Sequence, residues 1–421
     1  MMYALVDCNN FFVSAERLFR PDLLHKPVCV LSNNDGCVVS LSNEAKILGI
    51  KRGDPLFKIK ELVEQHQIAI FSSNFILYAG ISSRVMNILA EAVKELDIYS
   101  IDEAFLYLDG YEKLDISKQM KNLVKKVNKW TGIPISIGIA PTKTLAKVAA
   151  HYAKKYPGYQ NVCLINTEEK RIKALSHFDI SKVWGVGRQS FKKLKIHDIQ
   201  NAYEFSKLPE GFIKKNFTIT GVRTWKELNG FPCIETSEFT EKQSICTSRS
   251  FGKTISQIGP LKESVANFTS TCAQKLRKQQ SAANIISLFL NTDRFNPTIP
   301  QYYNYQSFVL PVPTAETTEL IHYAHQLLML LYKPGYAYKK AGIVLSEIVP
   351  NTAIQQNFFD PVTDRSKRIK LNHVMDRINL KNGLNTIIYA IQKPTEKQWI
   401  SKKEFISPNY LTNINELMNV K

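Results

Sequence analysis

The chain has 421 residues, and its 55 Lys+Arg against 37 Asp+Glu give a formal net charge of +18. A hydrophobic fraction of 44% excludes a fully disordered chain, and the length predicts roughly two to four domains. Seven cysteines without a Cys-x-x-Cys pair argue against a disulfide framework and favour a reducing cytoplasm. No apolar run approaches the roughly 18 residues of a membrane span. The N-terminus lacks the basic region with which a secretory signal peptide begins. The positive charge favours a polyanionic partner, with nucleic acid as the first candidate and an acidic membrane surface as the second.

The first 165 residues alternate between predicted strands and predicted helices. Strands are predicted at 3–6, 27–31, 98–101, 105–108 and 134–139, and a further one begins at 38–39. Helices are predicted at 11–19, 42–49, 75–95, 116–130 and 142–155. Such alternation predicts an α/β or α+β domain over 1–165.

The second half of the chain begins with a helical region and then changes pattern. Residues 168–230 are predicted to be helical, and 239–242 form a linker. Strands at 248–254, 284–291, 308–310 and 341–348, with helices at 261–279 and 316–332, follow in the order β-α-β-β-α-β. This order is typical of a ferredoxin-like module. The last 70 residues show one further helix, near 371–380.

Acidic residues lie at the ends of two predicted strands. Asp7 closes the first strand, and Asp102 and Glu103 stand between 98–101 and 105–108. Neighbouring carboxylates in apolar surroundings repel each other and lose hydration, and a divalent cation removes both costs. Mg²⁺ prefers such oxygen ligands. The pattern indicates a metal site, with solvent-facing acids at strand ends as the alternative.

Lysines of the Ala-rich helix at 142–155 follow a helical spacing. Lys143, Lys147 and Lys154 are four and seven residues apart, which places them on one helix face. This basic stripe could meet a triphosphate or could form a solvated face. Lys46, on a short capped helix, allows the same two interpretations.

A glycine pair separates two helical stretches in the basic part of the chain. Gly185 and Gly187, followed by Arg188, fit a helix-hairpin-helix, whose glycines let backbone N–H groups approach a phosphate. A dinucleotide-binding loop is excluded because Ser190 replaces its third glycine and no strand precedes it. A plain turn between helices is the alternative. Residues 182–278 carry 17 Lys+Arg against 8 Asp+Glu, which favours a phosphate-tracking surface.

Several motifs together resemble those of a known enzyme family. They are Asp7 before an aromatic pair, Ser-Ile-Asp-Glu-Ala-Phe at 100–105, and the segments at 30–38, 43–46, 142–147 and 248–252. In combination the chain resembles the Y-family translesion DNA polymerases, and within them the UmuC-like catalytic subunits of bacterial DNA polymerase V. The resemblance runs in order from residue 1 to about 360.

The resemblance implies a right-hand architecture. The palm would comprise 1–12 and 70–165, the fingers 13–69, the thumb with its helix-hairpin-helix 166–240, and the little finger 243–350, leaving 351–421 as a C-terminal partner-binding tail. The little finger range coincides with the β-α-β-β-α-β pattern. The fold class expected is therefore a multidomain α/β and α+β polymerase with a ferredoxin-like little finger.

The resemblance also assigns roles to the strand-end acids. Asp7 and Asp102 would bridge two Mg²⁺ ions, Glu103 would bind the catalytic ion, and the Cys8 carbonyl would complete the nucleotide-side ion. Such a pair of ions activates the primer 3′-hydroxyl and stabilises the pyrophosphate leaving group. The implied activity is error-prone DNA synthesis opposite damaged template bases, as part of the SOS response.

The nucleotide site implied by the family lies around these acids. Lys46 and Lys154 would grip the triphosphate, and Asn43 stands where some relatives carry Tyr. Phe12, beside Phe11, would be the steric gate whose ring blocks a ribose 2′-hydroxyl.

The implied partners are primer–template DNA, dNTPs, a UmuD′-like accessory dimer, a RecA filament and the sliding clamp, with no membrane. The residues expected to contact DNA are Gly185, Gly187, Arg188, Lys192, Arg249 and Lys253. Gln355, Phe358 and Phe359 resemble the short bacterial clamp-binding motif, with local packing of the two rings as the alternative.

Two other classes of protein share part of the pattern. A non-catalytic DNA-binding protein would use the hairpin and the basic surface alone. A nucleotide cyclase shares the strand-end acids of a palm but has no need of a basic hairpin or a second β-α-β-β-α-β module. Extension of a primed template with dNTPs and Mg²⁺ separates the three.

Overall fold

A computed structural model describes residues 2–111, 115–235, 241–355, 360, 364–393 and 397–416. The chain divides into two compact units, the first formed by Met1–Ser237 with Glu404–Lys421 and the second by Glu238–Lys403. The second unit is thus inserted between two parts of the first. Among the described helices, none combines the length and the apolar character needed to cross a membrane.

The first unit contains eight of the strands and eleven of the helices described. Its strands are β1 (Tyr3–Cys8), β2 (Val28–Leu31), β3 (Val38–Leu41), β4 (Ala69–Ser72), β5 (Leu96–Ile98), β6 (Glu103–Tyr107), β7 (Ile135–Ala140) and β8 (Val162–Leu164). Its helices are α1 (Phe11–Arg17), α2 (Asn43–Ile47), α3 (Leu56–Gln65), α4 (Phe75–Ala92), α5 (Ile116–Thr131), α6 (Lys143–Lys155), α7 (Glu168–Ser176), α8 (Arg188–Ile196), α9 (Ala202–Lys207), α10 (Glu210–Asn216) and α11 (Ile219–Leu228).

The main sheet of this unit has the strand order β5-β6-β1-β7-β8. The central strand β1 is buried on both faces because its alternate residues enter different cores. Ala4 and Val6 join the core of α4 and α5, whereas Tyr3 and Leu5 join the core of α6. A strand buried on both sides needs a continuous apolar run, which is what the sequence from residue 3 to residue 6 provides.

A smaller sheet has the order β3-β2-β4, with its own core beneath α3. Strands β2 and β3 are antiparallel, whereas β4 runs parallel to β2. The sequence analysis predicts β2 and the beginning of β3 but neither α3, which buries a single residue, Ile59, nor β4.

The second unit contains β9 (Ser244–Ile255), α12 (Ile258–Lys278), β10 (Ser281–Thr292), β11 (Tyr303–Thr314), α13 (Thr317–Leu331), β12 (Tyr338–Pro350) and α14 (Arg365–Asn382). The first six elements confirm the predicted β-α-β-β-α-β order. All pairings are antiparallel, and the sheet order β11-β10-β12-β9 places the last strand between the first and the second.

Ion pairs attach helix α14 to the rest of the second unit. The Arg277 guanidinium makes two bonds to the Asp376 carboxylate, at 2.7 and 2.9 Å. Arg365 makes a similar pair with Glu319, at 2.9 and 3.1 Å. Bidentate pairs of this kind fix orientation as well as position.

Candidate active site

The pairing of β1 with β6 brings the three predicted acids to one edge of the main sheet. Asp7 and Glu103 are cross-strand partners in this antiparallel pair. Asp102 is next in sequence to Glu103, and its carbonyl accepts a bond from Cys8 N at 2.9 Å. Residues separated by nearly a hundred positions in sequence therefore meet at adjoining strand ends.

Ser100 organises the turn that carries two of the acids. Its hydroxyl donates to Asp102 Oδ1 at 2.7 Å. The same oxygen accepts bonds from the backbone N–H groups of Asp102 and Glu103, at 3.2 and 3.0 Å. The hydroxyl thereby uses both its donor and its acceptor capacity to hold the turn. No role was predicted for Ser100, although it belongs to the quoted motif.

The lysine stripe of α6 faces acidic partners. Lys154 Nζ lies 2.7 Å from Asp7 Oδ1, and Lys147 Nζ lies 2.8 Å from Glu103 Oε2. Lys143 Nζ lies 3.4 Å from Asp97 Oδ2 and is almost fully buried. The solvated-face alternative is therefore wrong for the buried Lys143 and the partly buried Lys147, whereas Lys154 is exposed although it meets Asp7.

Lys147 also lies among aromatic rings. Its ammonium is 4.5 Å from the centre of the Tyr99 ring and 5.3 Å from that of Trp184. The Trp184 indole N–H donates to the Tyr99 hydroxyl at 3.2 Å. Ring faces attract a cation, so they hold the ammonium beside Glu103.

Asn10 joins the second predicted lysine to the site. Lys46 Nζ donates to Asn10 Oδ1 at 2.8 Å and to Asn43 Oδ1 at 3.0 Å. Asn10 precedes α1 in the left-handed conformation, with φ of 47°, which asparagine tolerates well. Burial, followed by repulsion from Lys154, lowers the pKa of Lys46. No role at the site is predicted for Asn10 from the sequence.

The acidic edge of the sheet borders a cavity of about 620 Å³. Its walls include all three acids, Lys46, Lys154 and both aromatic residues, together with residues to which no site role was assigned from the sequence. The full lining consists of Asp7, Cys8, Asn10, Phe11, Phe12, Val39, Ser40, Leu41, Lys46, Arg52, Ser100, Ile101, Asp102, Glu103 and Lys154. Arg52 was missed because nothing in the sequence around it distinguishes it from other surface arginines. Its Nε donates to Val39 O at 2.6 Å, which holds the side chain at the cavity wall.

Phe12 is fixed by other rings at the floor of this cavity. Its ring stacks on Tyr78, with centroids 4.4 Å apart and an interplanar angle of 13°. Phe75 meets it edge-on at 6.0 Å. Phe11 is buried in the core behind it. Aromatic contacts of this kind define the plane of the ring as well as its position.

The donors at this edge are the carboxylate oxygens of Asp7, Asp102 and Glu103, the ligand type that a hard cation prefers. The Cys8 thiol is buried, and burial raises its pKa, so the thiol stays protonated and is a poor metal ligand. Asp7 and Glu103 already have ammonium groups as partners. As the described side chains stand, no three His, Cys, Asp or Glu residues converge closely enough to hold a metal ion.

The predicted hairpin forms a tight turn before α8. Gly185 has φ of +92°, and a Cβ there would lie 2.2 Å from Thr224 Oγ1. Gly187 precedes the first helical residue, Arg188, and a Cβ on it would meet nothing within 4 Å. Arg188 and Lys192 are exposed. The turn therefore presents an open backbone and two cations on the first turns of a helix.

The remaining predicted DNA contacts lie in the second unit. Arg249 and Lys253 are both exposed on β9. Gln355 is exposed, whereas Phe358 and Phe359 fall outside the described residues, so the clamp motif stays a prediction.

Comparison with known families matches most of the chain. Residues 6–151 match the impB/mucB/samB family, and 242–358 match the C-terminal domain of the same family. Residues 370–420 match a domain of unknown function.

Individual relatives agree with this match. The chain is 40% identical to Protein UmuC of Salmonella typhimurium and 36% identical to Protein ImpB of Salmonella typhimurium, over at least 99% of each chain. It is 25% identical to DNA polymerase IV of Brucella melitensis, over 91% of this chain and 84% of that one.

Solved structures show the same fold. A Y-family DNA polymerase chimera of Dbh and Dpo4 matches with a TM-score of 0.65 at 17% identity, over 83% of this chain and all of the other. An insertion ternary complex of Dbh DNA polymerase matches with a TM-score of 0.54 at 18% identity, over the same shares. The chain therefore belongs to the UmuC-like branch of the Y-family DNA polymerases, a family of DNA-directed DNA polymerases.

Proposed function

We propose that this chain performs error-prone translesion DNA synthesis by a two-metal-ion mechanism. The observation that carries the proposal is the cavity in which strand-end carboxylates, two lysines and a stacked aromatic ring meet. This combination joins groups for a cation, a polyphosphate and a sugar in one place. We further propose that the chain acts in the SOS response to DNA damage.

In this mechanism the three acids at the edge of the main sheet would bind the metal ions. Asp7, Asp102 and Glu103 would supply carboxylate oxygens to the ions, and the Cys8 carbonyl would supply a neutral oxygen. Two Mg²⁺ ions would activate the primer hydroxyl and stabilise the leaving pyrophosphate when bound. Ser100 keeps Asp102 oriented through its 2.7 Å bond. Lys154 and Lys147 neutralise Asp7 and Glu103 in the structure and so supply the positive charge that the ions would supply when bound.

The nucleotide would lie between two walls of the cavity. Lys154 would exchange Asp7 for the triphosphate, and Lys46 would bind it as a second cation, with Asn10 and Asn43 holding its ammonium. An ammonium is a strong partner for phosphate oxygens. Phe12 would exclude a ribose 2′-hydroxyl because its ring is held in one plane by Tyr78.

DNA would be bound through its phosphates. Gly185 makes the tight turn of the hairpin, Gly187 leaves its backbone open before α8, and Arg188 and Lys192 add charge on that helix. Helix N-termini and glycine-rich turns bind phosphates through backbone N–H groups. In the second unit, Arg249 and Lys253 are exposed for the same role, together with the positive surplus of the chain.

We assign three protein partners on the resemblance alone: a UmuD′-like accessory dimer, a RecA filament and the sliding clamp. The segment that begins at Gln355 is the candidate for clamp binding, because a glutamine followed by two phenylalanines suits a shallow apolar pocket. Replacing Phe358 and Phe359 with Ala should abolish capture by the clamp while basal primer extension is retained.

The experiment that tests the proposed function is extension of a primed template by the full chain with dNTPs and Mg²⁺. Template-directed addition supports the polymerase. Retention of DNA without nucleotide addition would favour a non-catalytic DNA-binding protein, and release of a cyclic nucleotide without a template would favour a cyclase. Either of these two results, obtained with the accessory protein present, would contradict the proposal.

A further inference from the structure

The last described residues of the chain return to the first unit, and we name residues 404–416 the C-terminal clasp. Ser72 N donates to Phe405 O at 2.9 Å, and Phe405 N donates to Ser72 Oγ at 3.0 Å. Glu404 N donates to the buried Asp35 carboxylate at 2.8 Å. These bonds attach the clasp beside the end of β4.

The clasp is packed as part of the core. The Tyr410 ring stacks on Phe19, with centroids 4.4 Å apart and an interplanar angle of 9°. Tyr410 is itself buried. Leu411 reaches α4 at Gly80, where a Cβ would lie 2.7 Å from Leu411 Cδ1. The glycine leaves room for this approach of the Leu411 side chain to the helix.

A chain of hydrogen bonds leads from the clasp to a buried acid. Asn74 Nδ2 donates to Ser407 Oγ at 3.1 Å and to Ser407 O at 3.2 Å. Ser407 Oγ donates to Glu16 Oε1 at 3.1 Å. The Tyr78 hydroxyl donates to the same Glu16 oxygen at 2.6 Å. Glu16 is fully buried, and its other oxygen, Oε2, has no hydrogen-bond partner among the described residues.

The chain of bonds ends at the cavity. The ring of Tyr78 stacks on Phe12, which lines the proposed nucleotide site. The position of a buried carboxylate with only one hydrogen-bonded oxygen depends strongly on the groups that donate to that oxygen. Loss of the Ser407 donor leaves Glu16 with Tyr78 alone, and a shift of either residue moves the surface on which Phe12 rests.

We propose that the C-terminal clasp positions Phe12 through this chain of bonds and so takes part in selecting the sugar of the incoming nucleotide. The inference rests on the proposed gate role of Phe12. It makes Ser407, Glu16 and Tyr78 positioning residues, since none of them lines the cavity. It also gives a function to the end of the segment that matches a domain of unknown function.

The test compares Ser407→Ala and Tyr78→Phe with Thr412→Ala in the full chain. Tyr78→Phe keeps the ring that stacks on Phe12 and removes only the hydroxyl. Thr412 is exposed on the same clasp, so its variant is the matched control. The readout is the ratio of kcat/KM for a dNTP to that for the matching rNTP, with thermal unfolding measured in parallel.

We expect the dNTP preference to fall about fivefold in both test variants, the effect of one net hydrogen bond, and to be unchanged in Thr412→Ala. The double variant should lose less than the product of the two single effects, because both bonds act on Glu16. A lower unfolding temperature with unchanged selectivity would show that the clasp only stabilises the fold, and would overturn the inference.

Phe12→Ala separates this inference from the proposed function. If Phe12→Ala admits ribonucleotides and the clasp variants do not, the gate stands and the inference fails. If Phe12→Ala leaves discrimination unchanged, the gate assignment itself is wrong.

Discussion

Lys154 Nζ lies 2.7 Å from Asp7 Oδ1, although 147 positions separate the two residues in the sequence. The last turn of α6 meets the end of β1, where both side chains are part of one cavity. An ammonium at this distance neutralises the carboxylate, and in the proposed function it would exchange the carboxylate for a phosphate. The pair therefore connects the acidic edge of the sheet with the proposed triphosphate site.

Lys154→Ala should raise KM for dNTPs by about tenfold, the effect of one charge-assisted bond to phosphate. The change in kcat should be smaller. Steady-state kinetics of single-nucleotide insertion measure both values. Lys155→Ala is the matched control, because Lys155 is the exposed neighbour whose ammonium lies 5.2 Å from the Tyr156 ring. Equal KM values for the two variants would remove Lys154 from the nucleotide site.

Gly185→Ala should lower the free energy of unfolding by about 1–2 kcal/mol, because an L-residue is strained at positive φ. A Cβ would also lie 2.2 Å from Thr224 Oγ1. Gly187→Ala should leave stability nearly unchanged, since φ is −83° and the space is open. Urea unfolding of both variants checks this pair. Equal losses would mean that the hairpin does not have the described geometry.

The sequence could predict the acids of the site but not their partners. Asp7, Asp102 and Glu103 stand beside apolar segments whose local pattern predicts strands. The pairing of β1 with β6, which brings the acids together, joins segments nearly a hundred residues apart and is not contained in that pattern. The ion pairs of Lys154 and Lys147 depend on how α6 packs on the sheet, which spacing along one helix does not reveal. The stripe therefore left two interpretations open.

The C-terminal clasp was not predicted for a related reason. It has no regular periodicity, and its bonds to Asn74 and Glu16 join residues more than 300 positions apart. Patterns with a period of 2 or 3.6 residues identify strands and helices. They carry no signal for an irregular segment that is stabilised by tertiary contacts.

Glu16→Gln should change the pH dependence of stability. Burial raises the pKa of Glu16 above its ordinary value of 4.5, against the bonds from Tyr78 and Ser407. The folded state then holds the proton more tightly than the unfolded state does. The stabilisation is complete below the ordinary pKa and is lost as pH rises through the raised value. Relative to the natural chain, Glu16→Gln should therefore gain stability as pH rises.

Unfolding free energies of both chains at a series of pH values from acid to neutral measure this difference. Each unit of pKa shift corresponds to about 1.4 kcal/mol. A constant difference between the two chains across that range would contradict a raised pKa for Glu16.

Arg249→Ala should weaken DNA binding to about the same extent on unrelated sequences. If Arg249 contacts a phosphate, the slope of log affinity against log salt should become shallower by about 1. Arg249→Lys keeps the charge and should keep the slope. Fluorescence anisotropy over a salt series measures both. A loss confined to one DNA sequence would instead indicate a base contact.

The most direct test of the account is primer extension by Asp102→Asn, in which the side chain keeps its shape and loses its charge. Asn can still accept the Ser100 bond that now measures 2.7 Å. The account predicts that extension falls by at least about a hundredfold, as expected when transition-state charge stabilisation is lost, while affinity for primed DNA is retained. Extension at a near-normal rate by this variant would contradict the assignment of the catalytic site.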